Sequence, residues 1–165
     1  YPRASKKIHV VYHGYDKSRF NPDVSEDNVR RVRKRYKLGS NEYLLFLSTL
    51  KPSKNIIGLI KAFKLLVSSN KDLDTILVIA GKRGWMYKEI YKKVTDLKLG
   101  KKVVFTGFVD EKDKPALLKG AKVLISPSFS SIEIRRVLDT FFGTFLTSAN
   151  ATGSIPITFI SAFFN

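Results

Sequence analysis

Four runs of the chain are apolar almost without interruption: "EYLLFLST" at residues 42–49, "TILVIAG" at 75–81, "KVVFTGFV" at 102–109 and "KVLISPS" at 122–128. A strand with one face in water alternates apolar and polar residues, whereas a continuous apolar run needs cover on both faces. Between the runs the apolar period changes. Ile56, Ile60, Phe63 and Val67 fall on one stripe of a helix expected over residues 55–67. A second helix is expected over residues 85–97. "DEKDKPALLKGA" supplies a short third, with Pro115 where a first turn tolerates it. Earlier, Ser25 ahead of Glu26 and Asp27 is a helix start, carrying Val29, Val32 and Tyr36 at helical spacing and closed by Gly39. The expected fold class is therefore α/β: a Rossmann-like parallel sheet of five or more strands with helices on both faces. A short strand at residues 8–12, a helix at 132–142 and a fifth strand in "GTFLTSA" complete the pattern.

A chain of 165 residues fits one domain. It has no cysteine, which excludes a disulfide framework and a zinc–thiolate site and fits an intracellular setting. No stretch reaches the roughly 20 apolar residues of a membrane span, and "YPRASKKIHVV" lacks the apolar core of a signal peptide. The chain opens on Tyr1 rather than Met, as a piece of a longer protein would. Thirty Lys and Arg against fourteen Asp and Glu give a net charge of +16. Such an excess favours nucleic acid, an acidic lipid surface or a phosphorylated ligand, and it equally describes a Lys-rich solvated surface. Nucleic acid fits poorly, because aromatics are not interleaved with "RRVRKRYK" as stacking platforms would require. Residues 30–37 read instead as one exposed helix face, better suited to an anionic membrane surface.

In an open α/β sheet, ligands bind beyond the carboxyl ends of the strands. In "STLKPSKN", Lys51 and Lys54 stand beside a helix N-terminus, whose unpaired N–H groups and dipole favour an anion. "AGKRGW" repeats the arrangement after the second run. It is neither a P-loop nor a G-x-G-x-x-G turn, since Lys82 sits between Gly81 and Gly84. Gly81 permits close backbone approach to a ligand, although such a turn taken alone is more often a plain strand-to-helix connection. "TGFVDEKD" places Gly107 and Phe108 where backbone groups could meet a nucleobase edge. His9 and His13, the only histidines, make a poor metal pair, and no Ser-His-Asp arrangement is suggested.

Together these segments resemble the C-terminal, nucleotide-sugar-binding domain of GT-B retaining glycosyltransferases of family 4, the glycosyl transferases group 1, with a lean toward mannosyltransferase-like members. "VVYHGYDKSRFNP" resembles the family's V-x-x-N/H-G-V-D followed by F-x-P. "LLFLSTLKPSKNIIGLIKAF" is similar to L-F-V-G-T-L-x-P-R-K-N-x-x-x-L-I-x-A-F. "LVIAGKRGWMYKEI" and "VVFTGFVDEKDKPALLKGAKVLISPS" match in order and spacing, so the likeness covers residues 8–128. It implies that residues 1–165 form one donor-binding domain, cut short at its C-terminus and without the N-terminal acceptor domain. It implies donor contacts at Lys54, Gly81 and Lys82 (diphosphate) and at Gly107, Phe108 and Val109 (nucleobase). It also implies a donor such as GDP-mannose or UDP-glucose, a glycan or lipid-linked acceptor, and no metal or other cofactor. The location implied is cytoplasmic, peripheral at the inner membrane surface.

The sequence departs from the family at the groups that grip the donor. The arginine of P-R-K is Ser53. In the family's E-G-F-G-L-P-x-L-E-A-M, the first glutamate falls at Ser131 and the second, which holds the ribose hydroxyls, at Asp139. Glu133 lies two positions off. No catalytic residue is therefore assigned. A degenerate, non-catalytic domain with a binding or structural role is the alternative reading.

Overall fold

A computed structural model of the chain describes Gly14, residues 16–70 and 72–128, and the backbone of Phe159–Ile160. The elements run α1 (Glu26–Arg35), β1 (Glu42–Leu47), a 3-10 turn (Pro52–Lys54), α2 (Ile56–Ser69), β2 (Thr75–Ala80), α3 (Tyr87–Asp96) and β3 (Val103–Gly107). A second 3-10 turn (Glu111–Asp113), α4 (Lys114–Lys119), β4 (Val123–Ile125) and β5 (Phe159–Ile160) follow. The strands form one five-stranded sheet in the order β3-β2-β1-β4-β5, and every pair is parallel. The α/β parallel sheet expected from the apolar runs is the fold found. The strand expected at residues 8–12, the helix at 132–142, "GTFLTSA", His9 and His13 lie outside the described residues.

The period of two along a strand divides the core. Tyr43, Leu45, Ile76, Val78 and Ala80 face one side and pack with Val29 and Val32 of α1 and Ala116 and Leu117 of α4. Phe46, Leu77 and Ile79 face the other side, against Ile56, Leu59, Ile60 and Phe63 of α2 and Ile90 and Val94 of α3. All six residues of β2 are buried, as a strand covered on both faces must be. Burying an Ile, Leu or Phe contributes about 1.5–3 kcal/mol, against about 0–1 for an exposed ion pair. The two apolar layers, not the surface charge, hold the sheet.

Two boundaries differ from expectation. The helix expected from residue 85 begins at Tyr87; Met86, with φ 55°, is its N-cap, and Trp85 stays outside and 75% exposed. The cause lies in the preceding turn, where Gly84 N–H is still bonded to Leu50 O, so the chain has yet to leave the sheet. The third strand stops at Gly107, where φ reaches 70°.

The cations of the basic stretch are exposed, apart from the half-buried Arg33, but they do not form one uniform face. α1 is capped by Ser25, whose hydroxyl accepts from Asn28 N–H, and its cations divide into two stripes. Arg31 and Arg35, at i and i+4, turn toward Asp113, which is fully buried, at 3.0 and 3.1 Å. Arg35 also meets Asp110 at 2.5 Å. Tyr36 Oη donates to Asp113 Oδ2 at 3.0 Å and accepts from Asp110 N–H at 3.2 Å. This cluster staples α1 to the segment between β3 and α4. Burial pushes the Asp113 carboxyl up, but the Tyr36 hydroxyl and the Arg31 and Arg35 guanidinium groups outweigh it and hold the carboxyl below its ordinary value.

A carboxylate with a lowered folded value contributes stability above its unfolded value, near 3.9, and loses it as pH falls through the folded one. Asp113→Asn should therefore cost about 1–3 kcal/mol at neutral pH. The gap from the parent chain should hold from pH 7 to about 5 and narrow below about pH 4. Urea denaturation of both proteins across that range checks it; a gap independent of pH would mean that the carboxylate charge plays no part.

Candidate functional site

The carboxyl edge of the sheet is built by extending its ladder beyond the strands. Ser48 N–H donates to Ala80 O at 3.0 Å, Leu50 N–H to Lys82 O at 3.0 Å, and Gly84 N–H to Leu50 O at 3.0 Å. Leu50 bridges Arg83 in parallel fashion, and Gly81 N–H donates to Gly107 O at 2.8 Å. The turns after β1, β2 and β3 are thus tied to one another by main chain. Leu50, 1% exposed, anchors the first of them in the core.

This tie accounts for the two glycines of "AGKRGW". A Cβ on Gly81, where φ is 147°, would sit 1.8 Å from Ser48 O; one on Gly84 would sit 2.7 Å from Leu50 O. No real Cβ approaches so closely. Both glycines are therefore required by the neighbouring backbone, and the N–H of each is already bonded within the sheet. What the turn presents to solvent is its side chains, since Lys82, Arg83 and Trp85 are all exposed.

Lys54 ends the 3-10 turn after β1, half-buried. Asn55 follows in the left-handed region, with φ 51°, as the N-cap of α2. Neither Asn55 on α2 nor Met86 on α3 makes a side-chain cap hydrogen bond, unlike Ser25 on α1. Two adjacent helices thus start at the carboxyl edge with N-termini uncapped by side chains, and lysines stand beside them. Unsatisfied N–H groups and the positive end of the dipole favour an anion there. Among the described residues, neither Lys54 nor Lys82 has an ion-pair partner.

Lys54 and Lys82 lie on the same edge, after neighbouring strands. Neither lines the groove of about 480 Å³ between the starts of α2 and α3. That groove has Lys51, Asn55, Gly58 and Lys61 on one wall and Met86 and Ile90 on the other. Phe108 is 62% exposed at the same edge, while Val109 turns into the core at 2%. Val109 can therefore offer a ligand only its backbone. Asp139, Ser131 and Glu133 lie outside the described residues.

Two groups at this edge went unnoticed in the sequence. Arg83 lies over the rings of Tyr87 and Tyr91, 5.3 and 5.7 Å from their centroids, and Tyr91 stacks on Phe105 at 4.0 Å. Tyr87 and Tyr91, four positions apart on one face of α3, were the available signal. Trp85 was hidden by its assignment to α3. Among the described residues no group of three or more His, Cys, Asp or Glu could hold a metal ion, and no helix is long and apolar enough to cross a membrane.

The family model described as "Glycosyl transferases group 1" matches residues 28–162. The chain is 31% identical over 98 residues to the O-antigen chain mannosyltransferase B of Escherichia coli, covering 59% of this chain and 26% of that protein. Its fold is similar to the crystal structure of Anabaena HepE with UDP and glucose, with a TM-score of 0.59 and 23% identity, covering 73% of this chain and 31% of that one. It is also similar to the C-terminal domain of a glycosyl transferase group 1 family protein from Francisella tularensis. There the TM-score is 0.55 and the identity 19%, over 70% of this chain and 59% of that one. The chain spans 26–35% of the length of the curated relatives it matches.

Exchanging Gly81 for Ala should cost more than about 2 kcal/mol, from positive-φ strain together with the collision at Ser48 O. Lys82→Ala, at an exposed side chain, should stay within about 0.5 kcal/mol. Thermal denaturation of the two variants checks the contrast; a Gly81→Ala protein as stable as its parent would show that the turn is not locked by main chain.

Proposed function

The chain belongs to the glycosyl transferases group 1 family, and from that premise we propose that it is the donor-binding, C-terminal domain of a retaining GT-B glycosyltransferase. In this reading the parent protein transfers a hexose such as mannose or glucose from a nucleotide diphospho-sugar to a glycan or lipid-linked acceptor. An N-terminal domain supplies the acceptor side of the cleft, and the enzyme works in the cytoplasm, peripheral to the membrane. The observation that carries the reading is the carboxyl edge itself. Two helix starts without side-chain caps, and Lys54 and Lys82, which have no ion-pair partner among the described residues, follow neighbouring parallel strands, where α/β sheets bind ligands.

The chemistry suits the place. Breaking the bond between sugar and diphosphate leaves negative charge on the departing phosphate, while the sugar becomes oxocarbenium-like. Fixed cations and N–H dipoles stabilise that charge where it grows. Lys54 supplies one full charge, and Lys82 a second. The Gly81 N–H is taken by Gly107 O, so the glycine's part in donor binding is to let the turn lie flat on the edge. Gly107, Phe108 and the Val109 backbone take the nucleobase, with the Phe108 ring as the available face. Asp139 takes the ribose, following the family pattern. The lysines do this work without a metal ion.

The serines at 53 and 131 favour a second reading, a domain that has lost catalysis and keeps a binding or structural role. Each replaces a charged group that holds the donor in the family pattern. A hydrogen bond to a charged group contributes about 1.5–3 kcal/mol, so two losses weaken donor binding by about a hundredfold or more.

Calorimetric titration with UDP, GDP, UDP-glucose and GDP-mannose tests both. The isolated chain should transfer no sugar and should bind the sugar donors weakly. A nucleoside diphosphate should bind measurably, and Lys54→Ala should weaken it by about tenfold. Low-micromolar binding of a sugar donor would show that other groups replace the lost contacts; an unaltered Lys54→Ala titration would remove Lys54 from the site.

A further inference from the structure

We propose that the outer stripe of α1 and the turn after it form a second anion site, on the opposite edge of the sheet from the donor, which takes a phosphate group. It does not rest on the donor reading. α1 leads into β1 through residues 36–41, so its C-terminal end lies where β1 begins, whereas Lys54 and Lys82 follow the strands.

A pocket of about 490 Å³ here is lined by Arg30, Arg33, Lys34, Lys37, Gly39 and Ser40. Four of the six are cations and none is acidic. Arg31 and Arg35 point elsewhere, to Asp113 and Asp110. Arg30 has a partner in Asp27. Among the described residues Lys34 and Lys37 have none.

Arg33 makes the pocket a built one rather than a spray of mobile lysines. Its Nε donates to Gly39 O at 3.0 Å and its Nη2 to Asn41 O. Its guanidinium also lies 5.1 Å from the centroid of the buried Tyr43 ring. Two of its five N–H groups are thereby used, which fixes the fork and leaves the others for a ligand. The turn around it is set as well. Leu38 N–H donates to Arg33 O at 2.9 Å and Lys37 N–H to Lys34 O at 3.2 Å, closing α1 with Lys37 at φ 56°. Lys98 has the same conformation after α3, so that conformation alone signals no ligand. Its effect here is to hold the Lys37 backbone at the pocket.

The helix dipole does not account for this concentration of charge. A helix C-terminus carries roughly −0.5 of an elementary charge. Four lining cations, less Asp27 and that dipole, leave a net charge of roughly +2.5. A phosphate monoester carries about −1.5 to −2 at neutral pH, which matches the excess and fits the donors of a fixed guanidinium. The phosphate could be that of a soluble ligand or of a phosphatidic acid headgroup, since both are phosphate groups with three terminal oxygens.

The full 165-residue chain is titrated with inorganic phosphate while amide shifts are followed by NMR. In parallel it is sedimented with phosphatidylcholine vesicles with and without phosphatidic acid. The double variant Lys34→Gln/Lys37→Asn removes two charges, with Asn chosen because it tolerates positive φ. Lys88→Gln/Lys93→Gln removes two from α3 as a control. Phosphate should shift the amides of residues 37–40, and affinity should fall by about tenfold or more in the α1 variant and less than about twofold in the control. The same contrast confined to phosphatidic acid vesicles assigns the pocket to a headgroup, and confined to free phosphate to a soluble ligand. Equal losses in both variants would reduce the effect to net charge and overturn the site, as would the absence of both phosphate shifts and vesicle binding.

Discussion

The ladder that runs past the ends of β1 and β2 is the constraint on which the carboxyl edge depends. Leu50 is its pivot: the side chain is sunk in the core, the N–H is given to Lys82 and the carbonyl receives Gly84. Because main chain makes these bonds, the relative positions of the turns after β1 and β2 are fixed by sheet geometry rather than by side chains. The close pass at Gly81 follows, and so does the late start of α3, which leaves Trp85 outside the helix. The placement of Lys54 and Lys82 on adjacent turns descends from the same few bonds.

The second organising interaction lies on the other face. Asp113 is buried among Arg31, Arg35 and the Tyr36 hydroxyl, and it joins the first helix to a segment some 80 positions later in the chain. A buried carboxylate left without partners would be costly, so α1 is held in one orientation. The pocket of Arg30, Arg33, Lys34 and Lys37 is formed by the cations of the same helix that do not reach Asp113.

Much of the fold was readable in the sequence because the signals are local and strong. Continuous apolar runs cannot be half-exposed strands, and Ile56, Ile60 and Phe63 have one helical reading. The strand ends put Lys54 and Lys82 on one edge for the same reason. What was not readable depends on contacts between distant segments. Nothing near Gly81 says that Ser48 O lies against it, so the sequence leaves the glycine open between a ligand turn and a plain connection. Val109, beside the exposed Phe108, could not be placed in the core until the strand was seen to stop at Gly107. The pairing of Arg31 and Arg35 likewise needed Asp113, far away in sequence.

A carboxyl edge held by backbone bonds has an evolutionary corollary. Side chains that project from it, such as Ser53, Lys82 and Arg83, carry little of the folding free energy, so exchanging them leaves the scaffold nearly as stable as before. Selection for a soluble, well-folded chain then cannot see them. Once the demand for a given chemistry is relaxed, those positions are free to drift while Gly81, Gly84 and Leu50 are still policed by foldability. A domain built in this way can keep an unmistakable architecture long after its ligand preference has changed or gone.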